Sequence, residues 1–302
     1  MSLVQALLGT VLPVFVLAAL GWVARRRLNV EVRDPSRLAV YLFTPGLIAN
    51  SILTTRLVSA EIGKILAFGA LLTAVMITVT LALGRLIGWG PAVRNASVLS
   101  TGFMNAANYG LPVVLLAFGT PGYERATIFI VFETLMMYST AVFFAARGRM
   151  DWRGALLAIF KLPLVWAVLA SLAVRLLGIP LPDAITKSIG MLANGAVVLV
   201  VIILGMQVAG IQIRGAIGRI IVSALLRLIL SPVVGLGLVA LLQPDPLTAK
   251  VLVLESAMPA SVNTMLLAVQ FDAEPDQVSG VTLLSTLLSV ASVTFWVWFL
   301  KR

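Results

Sequence analysis

TGFMNAANYGLPVVLLAF, residues Thr101 to Phe118, is apolar enough to lie in a membrane. Yet it carries Asn105, Asn108, two glycines and Pro112 at what would be bilayer depth. Such groups are tolerated in hydrocarbon only where protein or a water-filled cavity surrounds them. A second stretch, VLVLESAMPASVNTMLLAVQ (Val251 to Gln270), repeats the design: polar groups, a mid-segment Pro259, then an apolar half. Two interrupted segments in corresponding halves of a chain point to a transporter with a site at the membrane midplane.

Composition agrees with this class. Of 302 residues, 60% are hydrophobic and 11% charged, with a mean hydropathy of +1.07. Soluble domains carry about a quarter charged residues, so this chain reads as an integral membrane protein. It has no His and no Cys. That excludes imidazole or thiolate metal sites, His proton relays, Cys nucleophiles and disulfides. The net charge of +10 sits mostly in short gaps between apolar runs, where it sets topology rather than binding nucleic acid. The N-terminal apolar run, Leu3 to Ala24, is too long for a signal peptide and lacks a basic leader, so it is expected to remain as a first helix.

A span needs about 20 mostly apolar residues. Ten are expected: Leu3–Ala24, Leu38–Leu53, Ile65–Trp89, Ala96–Phe118, Ala126–Ala146, Leu162–Leu177, Ile185–Val208, Ile220–Leu242, Thr248–Gln270 and Val278–Leu300. Trp152 to Phe160 is expected to lie along the surface before the sixth. If the N-terminus is outside, the cytoplasmic loops hold Arg25, Arg26, Arg27, Arg33, Arg37, Arg85, Arg94, Arg147, Arg149, Arg153, Lys161, Arg214 and Arg219. These are 13 of the 22 basic residues. The bias places both termini outside the cytoplasm.

The chain also repeats itself. VLPVFVLAALGWVAR (Val11 to Arg25) aligns with KLPLVWAVLASLAVR (Lys161 to Arg175), and ETLMMYSTAVFF (Glu133 to Phe144) with STLLSVASVTFW (Ser285 to Trp296). Pro112 aligns with Pro259 at nearly the same offset. Five spans per half is an odd number, so the halves, 1–150 and 151–302, must be inverted relative to one another.

Pro112 and Pro259 are read as an unwound crossing point where freed backbone groups and half-helix N-termini face an ion; a plain kink is the alternative. Pro13, Pro45, Pro163 and Pro232 lack polar company and are read as kinks. Asn105 and Asn108 lie near one helix face and suit a carboxylate or amide ligand, or else join helices. Glu255, four residues before Pro259, is costly at that depth. It is a Na⁺ ligand with neighbouring oxygens such as those of Ser256 and Asn263, a proton acceptor, or the partner of Arg227 or Lys250. Glu133 poses the same question. Arg227 balances a bound anion, neutralises an acid, or forms a structural pair. Asn194 and Gln207 are read as packing groups. Asn50 and Ser51 follow a Pro45-Gly46 break and rank slightly higher. No phosphate loop, nucleophile–base set or metal-ligand spacing is present.

PGLIANSIL (Pro45 to Leu53), NAANYGLP (Asn105 to Pro112) and AMPAS (Ala257 to Ser261) resemble the auxin efflux carrier (PIN-like) family, within the bile acid/arsenite/riboflavin transporter superfamily, in a bacterial form. The resemblance implies an all-α, NhaA-like fold of ten transmembrane helices in a 5+5 inverted repeat, with helices 4 and 9 broken and crossing near Gly110, Pro112 and Pro259. It implies a scaffold of spans 1, 2, 6 and 7 that forms a homodimer, and a transport domain of spans 3 to 5 and 8 to 10. It also implies a small organic anion held by Asn105, Asn108 and residues near Asn50 and Ser51, in the cell (inner) membrane, with alternating access by an elevator motion. Bacterial members include malonate and other carboxylate permeases. No cofactor is expected; Na⁺ is a candidate coupling ion near Glu255. The rival readings are a Na⁺/H⁺ antiporter of related fold, and a non-transporting membrane receptor or intramembrane enzyme.

Overall fold

The computed structural model describes residues 2–55, 57–145, 160, 162–211 and 215–302. Trp152 to Gly154 and the rest of the expected surface segment up to residue 159 lie outside the described residues, as do Arg56, Arg147, Arg149, Arg153, Lys161 and Arg214. Among the described residues all regular elements are helical. They are α1 (Leu3–Arg27), α2 (residues 33–54), α3 (Ser59–Leu86), α4 (Pro91–Gly102), α5 (residues 106–118), α6 (residues 120–145), α7 (Pro163–Leu176), α8 (Asp183–Val208), α9 (Ile217–Leu242), α10 (Pro246–Ser256), α11 (Val262–Gln270) and α12 (Pro275–Leu300). α5 and α6 are separated at Gly119, whose φ of 68° and ψ of −165° suit glycine alone. Among the described residues six helical stretches are long and apolar enough to cross a membrane, and α7 is a shorter apolar helix.

Prolines account for four of the five widened turns among the described residues. Pro13, Pro45, Pro112 and Pro232 each follow a widened turn in which the residue just before the proline donates to the carbonyl five residues back: Leu12 to Leu7, Thr44 to Ala39, Leu111 to Ala106 and Ser231 to Leu226. A proline ring collides with the carbonyl four residues earlier and offers no N–H. One wide turn makes room and keeps the freed groups bonded. Pro163 instead begins α7, where its missing donor costs nothing.

Large apolar side chains face outward, including Leu86, Leu176 and Leu241, as a hydrocarbon solvent allows. Helices pack through small residues. α1 lies on α8, and α2 on both α7 and α8. A Cβ on Gly21 would fall on the Ile202 carbonyl, and one on Gly205 on the Ala18 carbonyl, so the two backbones touch. The remaining helices form a second group: α3 against α4 and α9, α10 against α9 and the α5–α6 segment, and α12 against α4, α9 and α11.

The two expected interrupted spans are both broken, α4 from α5 and α10 from α11. The position of the first break is a correction. The chain is non-helical at Phe103 to Asn105, not at Pro112. Pro112 lies inside α5, seven residues beyond the break, accommodated by its widened turn. Pro259 does lie in its break, between Ser256 and Val262. The alignment of Pro112 with Pro259 therefore does not hold in three dimensions.

Candidate functional site

The two breaks meet. The Asn105 N–H donates to the Pro259 carbonyl at 2.8 Å, and the Ser261 N–H to the Phe103 carbonyl at 3.1 Å. Met104 and Ala260 thus pair as a one-rung antiparallel bridge. The bridge satisfies backbone groups that two unwound segments would otherwise bury unpaired. Its symmetry makes Asn105 the counterpart of Ser261, each standing at the N-cap of the half-helix that follows. They differ in use. Ser261 Oγ accepts the Asn263 N–H at 3.3 Å, whereas the Asn105 side chain caps nothing. Its Nδ2 is buried with no hydrogen-bond partner among the described residues.

α4 and α10 both end at the crossing, so their negative dipole ends converge there. Arg227, fully buried, answers both. Its Nη1 donates to the Thr101 carbonyl at 2.8 Å and its Nη2 to the Ser256 carbonyl at 2.5 Å, with a further bond to Ser231 Oγ. Ser231 Oγ reaches the same Ser256 carbonyl at 2.8 Å. Arg227 forms no salt bridge with either buried glutamate among the described residues, and Lys250 forms none with Glu255. The alternative of a structural ion pair is not seen among the described residues; Arg227 contacts carbonyls instead.

Glu255, with no exposed surface, lies against the first turn of α5. A Cβ on Gly110 would strike its carboxylate, so glycine there is what lets Glu255 approach. Neither of its oxygens has a hydrogen-bond partner among the described residues. Glu133 on α6 is buried, takes a backbone hydrogen bond from Met104 and interacts through space with Arg227 and with Glu255. Its Oε1 is unpartnered. One guanidinium therefore shares this core with two carboxyls.

Other expected residues fall elsewhere. The Ser256 hydroxyl donates to the Val253 carbonyl at 2.6 Å and its carbonyl serves Arg227, so its groups are committed to structure. Asn263 and Asn108 are half-buried. Asn50 and Ser51 do not join Asn105. They line a separate cleft of about 240 Å³ with Thr54, Tyr123, Glu124 and Asn194. A larger cleft, about 730 Å³, opens toward the far ends of the helices and is lined by Arg25, Arg33, Gln207, Met265 and Asp276. Both clefts run between the α1–α2–α7–α8 group and the rest. The larger uses the end of α11 and start of α12; the smaller uses the end of α5 and start of α6. No motif singles out the larger cleft or the dual carbonyl contact of Arg227. Both are assembled from residues distant in sequence.

On the side of the smaller cleft a polar latch ties three helix starts. Arg125 donates to Thr248 Oγ1 at 2.8 Å and to both oxygens of Asp245 at 3.3 Å. Glu61 accepts the Asp245 N–H at 3.0 Å and pairs with Lys64 at 2.8 Å. Partial burial works to raise the Asp245 carboxyl. Bonds from Thr248 and the Arg125 charge outweigh it and hold it down at about 2.

The sequence profile of a family described as Membrane transport protein matches residues 6–153 and 149–297. A protein of Methanothermobacter thermautotrophicus, described as an uncharacterized transporter, is 30% identical over 297 residues, covering 95% of this chain and 96% of the relative. An uncharacterized transporter of Methanocaldococcus jannaschii is 27% identical over 208 residues, 67% of this chain and 65% of the relative. Protein PIN-LIKES 7 of Arabidopsis thaliana is 33% identical over 120 residues, 37% of this chain and 30% of that protein.

Proposed function

The chain belongs to the membrane transport protein family, the auxin efflux carrier or PIN-like group, and from that premise we propose that it carries a small organic anion by alternating access. Membership makes it a multi-pass membrane transporter and not an enzyme. The finer reading rests on one observation. Two clefts of unequal size, about 730 and 240 Å³, flank the crossing between the same two helix groups. Movement of one group against the other would close one cleft as it opens the other, the motion of an elevator.

In this reading the chain makes ten passes, with α4–α5 and α10–α11 each counted as one broken span. The packing of α1 on α8 mirrors that of α7 on α2, as an inverted repeat requires. Helices α1, α2, α7 and α8 are the scaffold and homodimer surface. The others carry the site in the cell membrane, with both termini outside the cytoplasm. The unpartnered Asn105 amide donates to the substrate carboxylate. Asn50, Ser51 and Asn108 contribute from the flanks. Glu255 and Glu133 hold a coupling H⁺ or Na⁺, since one guanidinium leaves a negative charge unbalanced in a buried core.

The test is reconstitution into proteoliposomes with a panel of labelled carboxylates, malonate and indole-3-acetate among them. Saturable flux whose Na⁺ or pH dependence changes in Glu255→Gln is expected. Sodium–proton exchange with no carboxylate movement would instead select the antiporter reading.

A further inference from the structure

The larger cleft differs from the smaller one in charge as well as volume. Its lining presents Arg25, from the last turn of α1, and Arg33, from the first turn of α2, with Asp276 as the acidic residue. Neither arginine side chain has a hydrogen-bond or ion-pair partner among the described residues. A Cβ on Gly210 would come within about 3.0 Å of the Arg25 guanidinium, so glycine at that position leaves room for Arg25 at the cleft wall. The Ser36 hydroxyl, also in the lining, has no partner. Across the crossing, the charged residue lining the smaller cleft is Glu124.

Two unpaired guanidiniums at the mouth of a cleft of ligand size concentrate anions there. A guanidinium fork also matches the geometry of a carboxylate. An acidic lining does the reverse. We infer that the Arg25–Arg33 cleft is a capture site for small carboxylates, dicarboxylates included, and that the transporter loads anions with higher affinity from this face than from the Glu124 face. This rests on the anion-transport reading. In the orientation proposed above the loading face is cytoplasmic.

The absence of cysteine permits a test that needs no transported substrate. Ser279→Cys places one thiol in the cleft lining. Its rates of modification by an anionic sulfonatoethyl and a cationic trimethylammonioethyl methanethiosulfonate are compared. The anionic reagent is expected to be favoured, and the rate ratio to fall roughly tenfold when Arg25→Gln and Arg33→Gln are added. Both arginines are at least partly exposed, so the fold should survive. In sided proteoliposomes the malonate concentration on the Arg25 face that half-protects this thiol from the anionic reagent should rise about tenfold in the double variant. An unchanged labelling ratio, or half-protection at an unchanged malonate concentration, overturns the capture site. A chain that moves no carboxylate, yet shows the expected fall in labelling ratio, keeps the capture site and removes the transport reading instead.

Discussion

The guanidinium of Arg227 donates to the carbonyl of Ser256 at 2.5 Å, at the last turn of α10. The same group reaches the Thr101 carbonyl at the last turn of α4. One cation therefore closes two half-helix C-termini that would otherwise point their negative ends at each other in a dry core. This explains a fully buried arginine with no acidic hydrogen-bond partner. Two of its bonds go to backbone carbonyls and one to Ser231 Oγ, while its Nε stays buried without a partner among the described residues.

Replacing Arg227 tests this. Arg227→Met leaves the Thr101 carbonyl without its donor and the Ser256 carbonyl with Ser231 Oγ alone, each loss costing up to about 1–3 kcal/mol. The melting temperature in detergent should fall by at least about 5 °C. Arg227→Lys keeps the charge but cannot fork to both carbonyls. It should melt between Met and wild type, with transport slowed up to about a hundredfold by misplacement of the crossing. A Lys variant no more stable than Met would show that the charge is irrelevant.

Asn105 and Pro112 should part company. The crossing bridge uses the Asn105 backbone N–H, so Asn105→Ala leaves the bridge intact and removes only the spare amide. Losing one hydrogen bond to a charged ligand should raise the carboxylate KM by roughly ten- to a hundredfold, with an unchanged melting temperature. Pro112 takes no part in the bridge, and Pro112→Ala lets its widened turn relax. Its KM should stay well below that of Asn105→Ala. Equal loss in both would return the crossing to Pro112.

Much of this arrangement is legible in the sequence, and the limit has a physical cause. Spans follow from runs of apolar residues, a local property, so most helix ends fall within a few residues of the expected ones. That two spans break follows from Asn and Glu at depth. Where the first breaks does not, because a proline in a membrane helix can be absorbed by one wide turn. Pro13, Pro45, Pro112 and Pro232 all are. The break at Phe103 to Asn105 is instead specified by its partner, Pro259 to Ser261, more than 150 residues away. The role of Gly110 emerges only when Glu255 is seen against it. Arg227 could be marked as exceptional from its depth, but its acceptors are main-chain carbonyls, which every residue carries and no motif reveals.

The latch at Asp245 predicts a pH dependence. Its carboxyl is held near 2 in the fold, below its ordinary value of 3.8. A group depressed in this way stabilises fully above its unfolded pKa and loses that contribution as pH falls through the folded one. Its share of the thermal stability should therefore be flat from neutral pH down to about 4 and decline toward pH 2. Asp245→Asn should melt lower at neutral pH, having lost the Arg125 pair and part of the helix cap, and the acid-side decline should be shallower. Differential scanning fluorimetry across this range reads both effects. Parallel curves for the two proteins would show that the latch carries no stability.

The last prediction concerns the seam between α1 and α8. Gly21 meets the Ile202 carbonyl and Gly205 the Ala18 carbonyl, a reciprocal pair that brings the backbones into contact. In lipid, helices gain little from hiding apolar surface from each other, so close packing of this kind is what holds them. A methyl at either site must push the helices apart against backbone, which cannot rotate away. Gly205→Ala should therefore cost about 1–3 kcal/mol, and Gly21→Ala a similar amount. Because the two glycines share one seam, the double variant should cost less than the sum: once the helices have parted for one methyl, the second finds room. Gly237, on α9 with nothing within 4 Å of a built Cβ, is the control, and its alanine variant should melt no lower than wild type. If Gly205→Ala behaves like Gly237→Ala, the seam is loose and the helices are held by other contacts.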